Sequence, residues 1–95
     1  MNNHAKTSSL GKITLESALK KKNGIKPIKL LINNGIKLYD SVLKDAIEED
    51  VSEEVIRLLI EKKANIKYQD AAGNTLLLIA AKHNSPKSII KLFLD

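Results

Sequence analysis

Five acids crowd the middle of this 95-residue sequence, as Glu48-Glu49-Asp50 and Glu53-Glu54. Clustered carboxylates can hold a divalent cation or divide acid and base roles between them. The spacing here is not that of a calcium loop, and the cluster contains no glycine to make the sharp turn of one. Glu53 and Glu54 stand instead at an expected helix start, where the helix dipole favours negative charge. The cluster reads as a solvated face or as a contact for a basic partner. Its counterpart is Lys20-Lys21-Lys22, which can touch phosphate or an acidic partner, or simply complement the dipole at a helix end. His4 sits in a polar leader and His83 follows Lys82, and the sequence indicates no clear carboxylate partner for His83. There is no cysteine, so disulfides, thiolate-bound zinc and a thiol nucleophile are excluded. No serine lies on a glycine-framed elbow, and no glycine loop is built to cradle phosphate. These features predict a chain that is not an enzyme and uses no cofactor or metal.

The elements that carry these residues are organised around Asp70-Ala71-Ala72-Gly73-Asn74-Thr75-Leu76-Leu77-Leu78-Ile79-Ala80-Ala81. Gly73 suits a turn that needs positive φ, and Asn74 and Thr75 are good helix caps. A short apolar helix is expected next, with Ala80-Ala81 allowing close approach of another. Ser85-Pro86 opens a second helical run ending at Leu94, with Ser85 as expected cap and Pro86 at the first position.

This unit recurs. The window from Thr14 to Ile32 matches itself without gaps after 28 residues and again after a further 34. Leu15, Leu43 and Leu77 coincide, as do Ala18, Ala46 and Ala80. In the second helix Ile28, Ile56 and Ile90 align, then Leu30, Leu58 and Leu92. The base between them recurs as Lys29, Arg57 and Lys91. A period near thirty residues with two helices per unit is the mark of a solenoid. Nine residues join the first two windows and fifteen the next two, so only the second link has room for a projecting hairpin. Asp40 or Ser41 is the expected cap of the third helix. Ser52 to about Lys63 is the clearest amphipathic helix, with Glu53 and Arg57 spaced for an i,i+4 pair.

The third unit resembles the ankyrin repeat, with Asp70, Gly73, Thr75, Leu77, Ala80 and Ala81 in place. Lys63-Ala64-Asn65-Ile66 and Asn34-Gly35-Ile36 are similar to the usual ends of repeats. Leu76 and Leu78 replace the family's usual Pro and His, so its Thr–His hydrogen-bond network is expected to be absent. The loop between paired helices is one residue longer than usual in every unit. The resemblance implies an all-α, ankyrin-like solenoid of three helix pairs with one short β-hairpin finger. Its domain spans residues 13–95, in units of about 14–35, 40–66 and 70–95. It also implies a non-catalytic scaffold or adaptor that binds another protein through hairpin tips and the exposed ends of the first helices. Carried over by position, these are Ala71, Ala72 and Asn74 on the hairpin, Lys82 and His83 on the fifth helix, and Glu48, Glu49, Lys20 and Lys21 on the earlier ones. The implied concave stripe runs Lys-Lys, Glu-Glu, Lys-His.

Composition agrees with a stacked architecture. Apolar residues make up 43% of the chain and aromatics 3%, so the core must be aliphatic. No apolar run approaches the roughly 20 residues of a membrane span, and residues 1–12 are polar, expected to form a disordered tail. The expected setting is cytoplasmic or otherwise intracellular, a setting that delivery of an effector into a host cell would also satisfy. The net charge of +5 is banded. Residues 1–39 hold eight lysines and one acid, residues 40–54 one lysine and seven acids, and residues 55–95 seven bases and three acids. The alternative function is electrostatic nucleic-acid binding through the Lys-rich N-terminal third. Against it stand the scarcity of aromatics for stacking and the repulsive acidic band. Finally, Ile89, Ile90, Leu92, Phe93 and Leu94 leave the last helix almost no polar side, whereas terminal repeats usually need one. Either the array continues or this helix meets another chain, and a homo-oligomer through it is the expectation.

Overall fold

The computed structural model describes residues 15–20 and 25–94; residues 1–14, Lys21 to Gly24 and Asp95 lie outside the described set. The expected tail, His4, and the Lys21 and Lys22 sites therefore fall outside it. Among the described residues six helices follow in order: α1 (residues 15–20), α2 (Ile25–Asn33), α3 (Val42–Glu48), α4 (Glu53–Glu61), α5 (Leu76–Lys82) and α6 (Lys87–Leu92). They form three consecutive pairs. The second helices make one layer, α2 on α4 and α4 on α6, while α3 stacks on α5 in the other. Within pairs, α3 packs on α4 and α5 on α6. α1 supplies Leu15 and Leu19 to the same core.

That core is aliphatic, from Leu15 through Leu43, Ile56 and Leu59 to Ile89, and among the described residues no polar or charged side chain is buried. No buried polar group has to be satisfied, so the polar positions are left for the surface. Tyr68 is half-buried against the core, and so is packing at the hairpin base.

The helix ends repeat with the sequence. Positive φ occurs at Gly35 (+83°) and, 28 residues on, at Lys63 (+74°); it occurs at Asp50 (+56°) and, 34 residues on, at Asn84 (+60°). Each closes a helix with the same two bonds. Lys63 N–H donates to the Ile60 carbonyl and Ala64 N–H to that of Leu59, both at 3.0 Å, the Schellman arrangement in which a left-handed residue turns the chain out of the helix.

At helix starts the structure divides the expected caps. Ser52 Oγ accepts from Val55 N–H at 3.4 Å and Thr75 Oγ1 from Leu78 N–H at 3.3 Å. Ser41 occupies the cap of α3 without a side-chain bond, because its ψ of 18° is not the extended backbone that aims a hydroxyl at the helix. Asp40 does not cap it either; its carboxylate accepts from Asn65 Nδ2 at 2.7 Å. Ser85 is not the cap of α6, and Pro86 is the cap rather than the first helical residue. The reason lies upstream, since Ser85 N–H donates to the Ala80 carbonyl and closes α5.

Candidate protein-interaction surface

The link between α4 and α5 is a minimal hairpin, an antiparallel bridge between Gln69 and Thr75. Asp70 holds its turn. Oδ1 accepts from the N–H groups of Ala72 and Asn74, both at 2.9 Å, and Oδ2 accepts from Asn74 Nδ2 at 3.0 Å. Gly73 N–H donates to the Asp70 carbonyl at 2.8 Å, and Gly73 takes φ +85°. The Asn74 side-chain bond, followed by the backbone donors, holds the Asp70 carboxyl below its ordinary value. Ala71 and Ala72 are exposed at the tip.

A cleft of about 210 Å³ opens beside this hairpin, lined by Glu48, Asp70, Asn74, Ile79, Lys82 and His83. Its walls come from the end of α3, the hairpin and α5, with Ile79 as an apolar floor. Glu48 Oε1 accepts from Lys44 Nζ at 3.1 Å, and this bond is the main reason the Lys44 ammonium is held above its ordinary value. Glu49 caps the C-terminus of α3 and is half-buried. His83 Nε2 lies 3.1 Å from Asp50 Oδ1, a distance at which an Nε2–H donates to the carboxylate. The expectation that His83 has no carboxylate partner is thus corrected: the left-handed turn at Asp50 brings it to the end of α5. This contact ties the closing turn of one helix pair to the next pair.

Four expected positions, Glu48, Asn74, Lys82 and His83, therefore share one cleft, with Ala71 and Ala72 on its hairpin and Glu49 adjoining in sequence. Lys20 does not line it; it is exposed and pairs with Glu16 across one helical turn at 3.7 Å. Sequence reasoning treated Asp70 only as part of the turn and missed its clamping role. Its signal was the Asp-x-x-Gly-Asn spacing, in which a side-chain oxygen can accept from N–H groups further along the turn. Ile79 gave no signal beyond being apolar.

Among the described residues no cluster of three or more His, Asp or Glu is arranged to hold a metal ion, and no helix is long and apolar enough to cross a membrane. Lys29 donates to Glu54 Oε2 at 2.7 Å, so the acidic band answers part of the N-terminal basic charge. On α6, Ile89 is buried in the unit and Ile90 and Leu92 are half-buried; just beyond it Phe93 is half-buried and Leu94 exposed.

Paired helices in two layers, a hairpin between pairs and helix closures that recur with the repeat describe one architecture. Residues 43–94 match the family described as ankyrin repeats (many copies). The chain belongs to the ankyrin-repeat family. No individual curated protein and no solved structure matches it. Ankyrin repeats generally mediate protein–protein interaction, and the family is typically non-catalytic. In this ankyrin-repeat chain the usual Pro and His of the helix start are Leu76 and Leu78, and Leu78 is exposed. The cap survives the change, because Thr75 needs only the Leu78 backbone N–H.

Proposed function

We propose that this chain is a protein-binding module whose recognition surface is the hairpin edge of the solenoid, centred on the cleft between α3, the hairpin and α5. One observation carries the reading. Glu48, Asn74, Lys82 and His83 come from three separate elements, yet they line one cleft with Asp70. The site mixes both signs of charge over an apolar floor, which suits a partner segment with an apolar anchor between charged flanks. Such a surface selects by charge complementarity more than by area. The hairpin tip, Ala71 and Ala72, offers small side chains over which a partner backbone can pass closely. Lys20, exposed on α1, belongs to the same expected stripe; Lys21 lies outside the described residues.

The test replaces Ala72 with a photo-crosslinking residue, captures the crosslinked protein from a cell extract, and repeats the binding with purified components. Glu48→Lys with Glu49→Lys, and separately Lys82→Glu, should weaken that complex by at least about tenfold, as expected when like charges are placed opposite each other. Their thermal unfolding should match that of the parent chain. Unchanged affinity in both variants would remove the cleft as the recognition surface.

A further inference from the structure

The first helices of the three pairs, α1, α3 and α5, carry copies of the same two positions one helical turn apart. The repeat offsets of 28 and 34 residues bring Glu16, Lys44 and Leu78 into register at the first position, and Lys20, Glu48 and Lys82 at the second. Side chains at i and i+4 on a helix lie on one face. In the first unit Glu16 and Lys20 pair at 3.7 Å, and in the second Lys44 and Glu48 pair at 3.1 Å. The sign is reversed between them, yet each pair closes on itself. In the third unit the first position is Leu78, so Lys82 has no carboxylate one turn back. Glu16 and Lys44 carry charge at this position and are partly exposed, so what sets the third unit apart is its residue type.

The other charges of the cleft are already answered. Asp70 accepts from two backbone N–H groups and from the Asn74 side chain. Glu48 accepts from Lys44, and His83 Nε2 faces Asp50. Lys82 lines the same cleft and is exposed, and among the described residues it has no hydrogen bond or ion pair. Leu78, 44% exposed, stands one turn before it on α5. An unanswered ammonium beside an exposed aliphatic side chain makes a two-point site. The ammonium selects a carboxylate, and covering Leu78 favours an apolar group next to that carboxylate.

We infer that Leu78 and Lys82 set the specificity of the recognition surface, and that they take a partner segment in which an aspartate or glutamate lies beside a large apolar residue. The inference rests on the cleft being the recognition surface. A glutamate at position 78 would reproduce the closed pair of the first unit; leucine there leaves the lysine to the partner. A basic segment in the same place would set like charge against Lys82, which excludes it.

A displayed library of random peptides, selected on the immobilised chain at low salt, tests this without knowledge of the natural partner. Enriched peptides should share an acid next to Leu, Ile, Met or Phe. The best of them, made synthetically, is then titrated against variants by fluorescence anisotropy. Lys82→Glu should weaken it by at least about tenfold, and selection on that variant should put Lys or Arg in the place of the acid. Leu78→Glu sets a carboxylate one turn before Lys82, in the order that favours a helix. The fold is then kept while peptide binding should fall by at least about fivefold, an effect of the size of an exposed ion pair. Added salt should weaken binding to the parent, because exposed pairs are screened. Thermal unfolding checks that each variant is folded. No enrichment, or enrichment of peptides without the acid, would overturn the inference. Binding that falls in Glu48→Lys with Glu49→Lys but is unmoved in Lys82→Glu and Leu78→Glu would overturn it and leave the cleft reading standing. Binding unmoved in all of these variants would overturn both.

Discussion

Lys63 is an L residue in a place where the chain's own first repeat uses glycine. Its φ is +74°, against +83° at Gly35 one repeat earlier, and both close their helices with the same pair of bonds. For an L residue the left-handed region costs roughly 1–2 kcal/mol, because the Cβ crowds the following carbonyl. Glycine escapes that cost but gives up about 0.5–1 kcal/mol through its greater freedom in the unfolded chain. Lys63→Gly should therefore stabilise the fold by about 0.5–1 kcal/mol. With a urea dependence of roughly 1 kcal/mol per M for a small domain, the midpoint should rise by about 0.5–1 M. The reverse change is a matched control. Nothing lies within 4 Å of a Cβ built at Gly35, so Gly35→Ala meets no steric clash and should lower the midpoint by a similar amount through backbone strain alone. A fall in the midpoint for Lys63→Gly, or no change for Gly35→Ala, would refute the reading of these positions as equivalent strained closures.

Leu59 is fully buried between helices, so Leu59→Ala should cost about 2–5 kcal/mol in denaturant unfolding, whereas Leu30→Ala at the exposed position should change stability by less than about 0.5 kcal/mol. Asp70→Ala should leave the helices intact but speed amide exchange at Ala72 and Asn74, whose N–H groups lose their acceptor. Because the Asp70 carboxyl is held below its ordinary value of 3.8, its contribution to stability is present above that pH and should be lost as pH falls through the lower folded value; Asp70→Asn should flatten that acid dependence. Tyr39 is opposite in sign. Burial, then its 2.7 Å bond to Asp45, raises the phenol above its ordinary 10.0. Its stabilising effect is complete below pH 10 and should decline as pH rises above it; Tyr39→Phe should remove this alkaline dependence, and the difference in ultraviolet titration between the parent and Tyr39→Phe should show Tyr39 ionising at higher pH than a free phenol.

The stacked pairs were legible because burial in a solenoid is local and periodic. Leu15 and Leu43 are fully buried where the offset matches them, and the left-handed closures at Asp50 and Asn84 fall on the same register. Three features were not legible, for separate reasons. Ile89 is buried and Ile90 half-buried, and two adjacent apolar residues give the apolar spacing no means to rank them. Ser41 has the right side chain for a cap but the wrong ψ, and composition does not report ψ. The Asp50–His83 contact spans 33 positions and depends on a turn whose left-handed residue is not glycine, so neither local pattern nor spacing points to it.

The absence of buried polar groups among the described residues bears on how such a chain can change partners. Its stability resides in aliphatic contacts between pairs, and charged residues such as Glu48, Lys82, Lys26 and Lys91 reside on edges that those contacts do not use. An exposed ion pair contributes about 0–1 kcal/mol to folding, yet a like-charge contact across an interface can cost several kcal/mol in binding. The same substitution is therefore nearly silent for the fold and decisive for the partner. The core makes the opposite demand. Leu43 and Ala46 are fully buried at a seam shared with the next pair, so a change there disturbs two pairs at once. Selection can then rewrite the bands of charge while the seams hold the register that gives those bands their spacing.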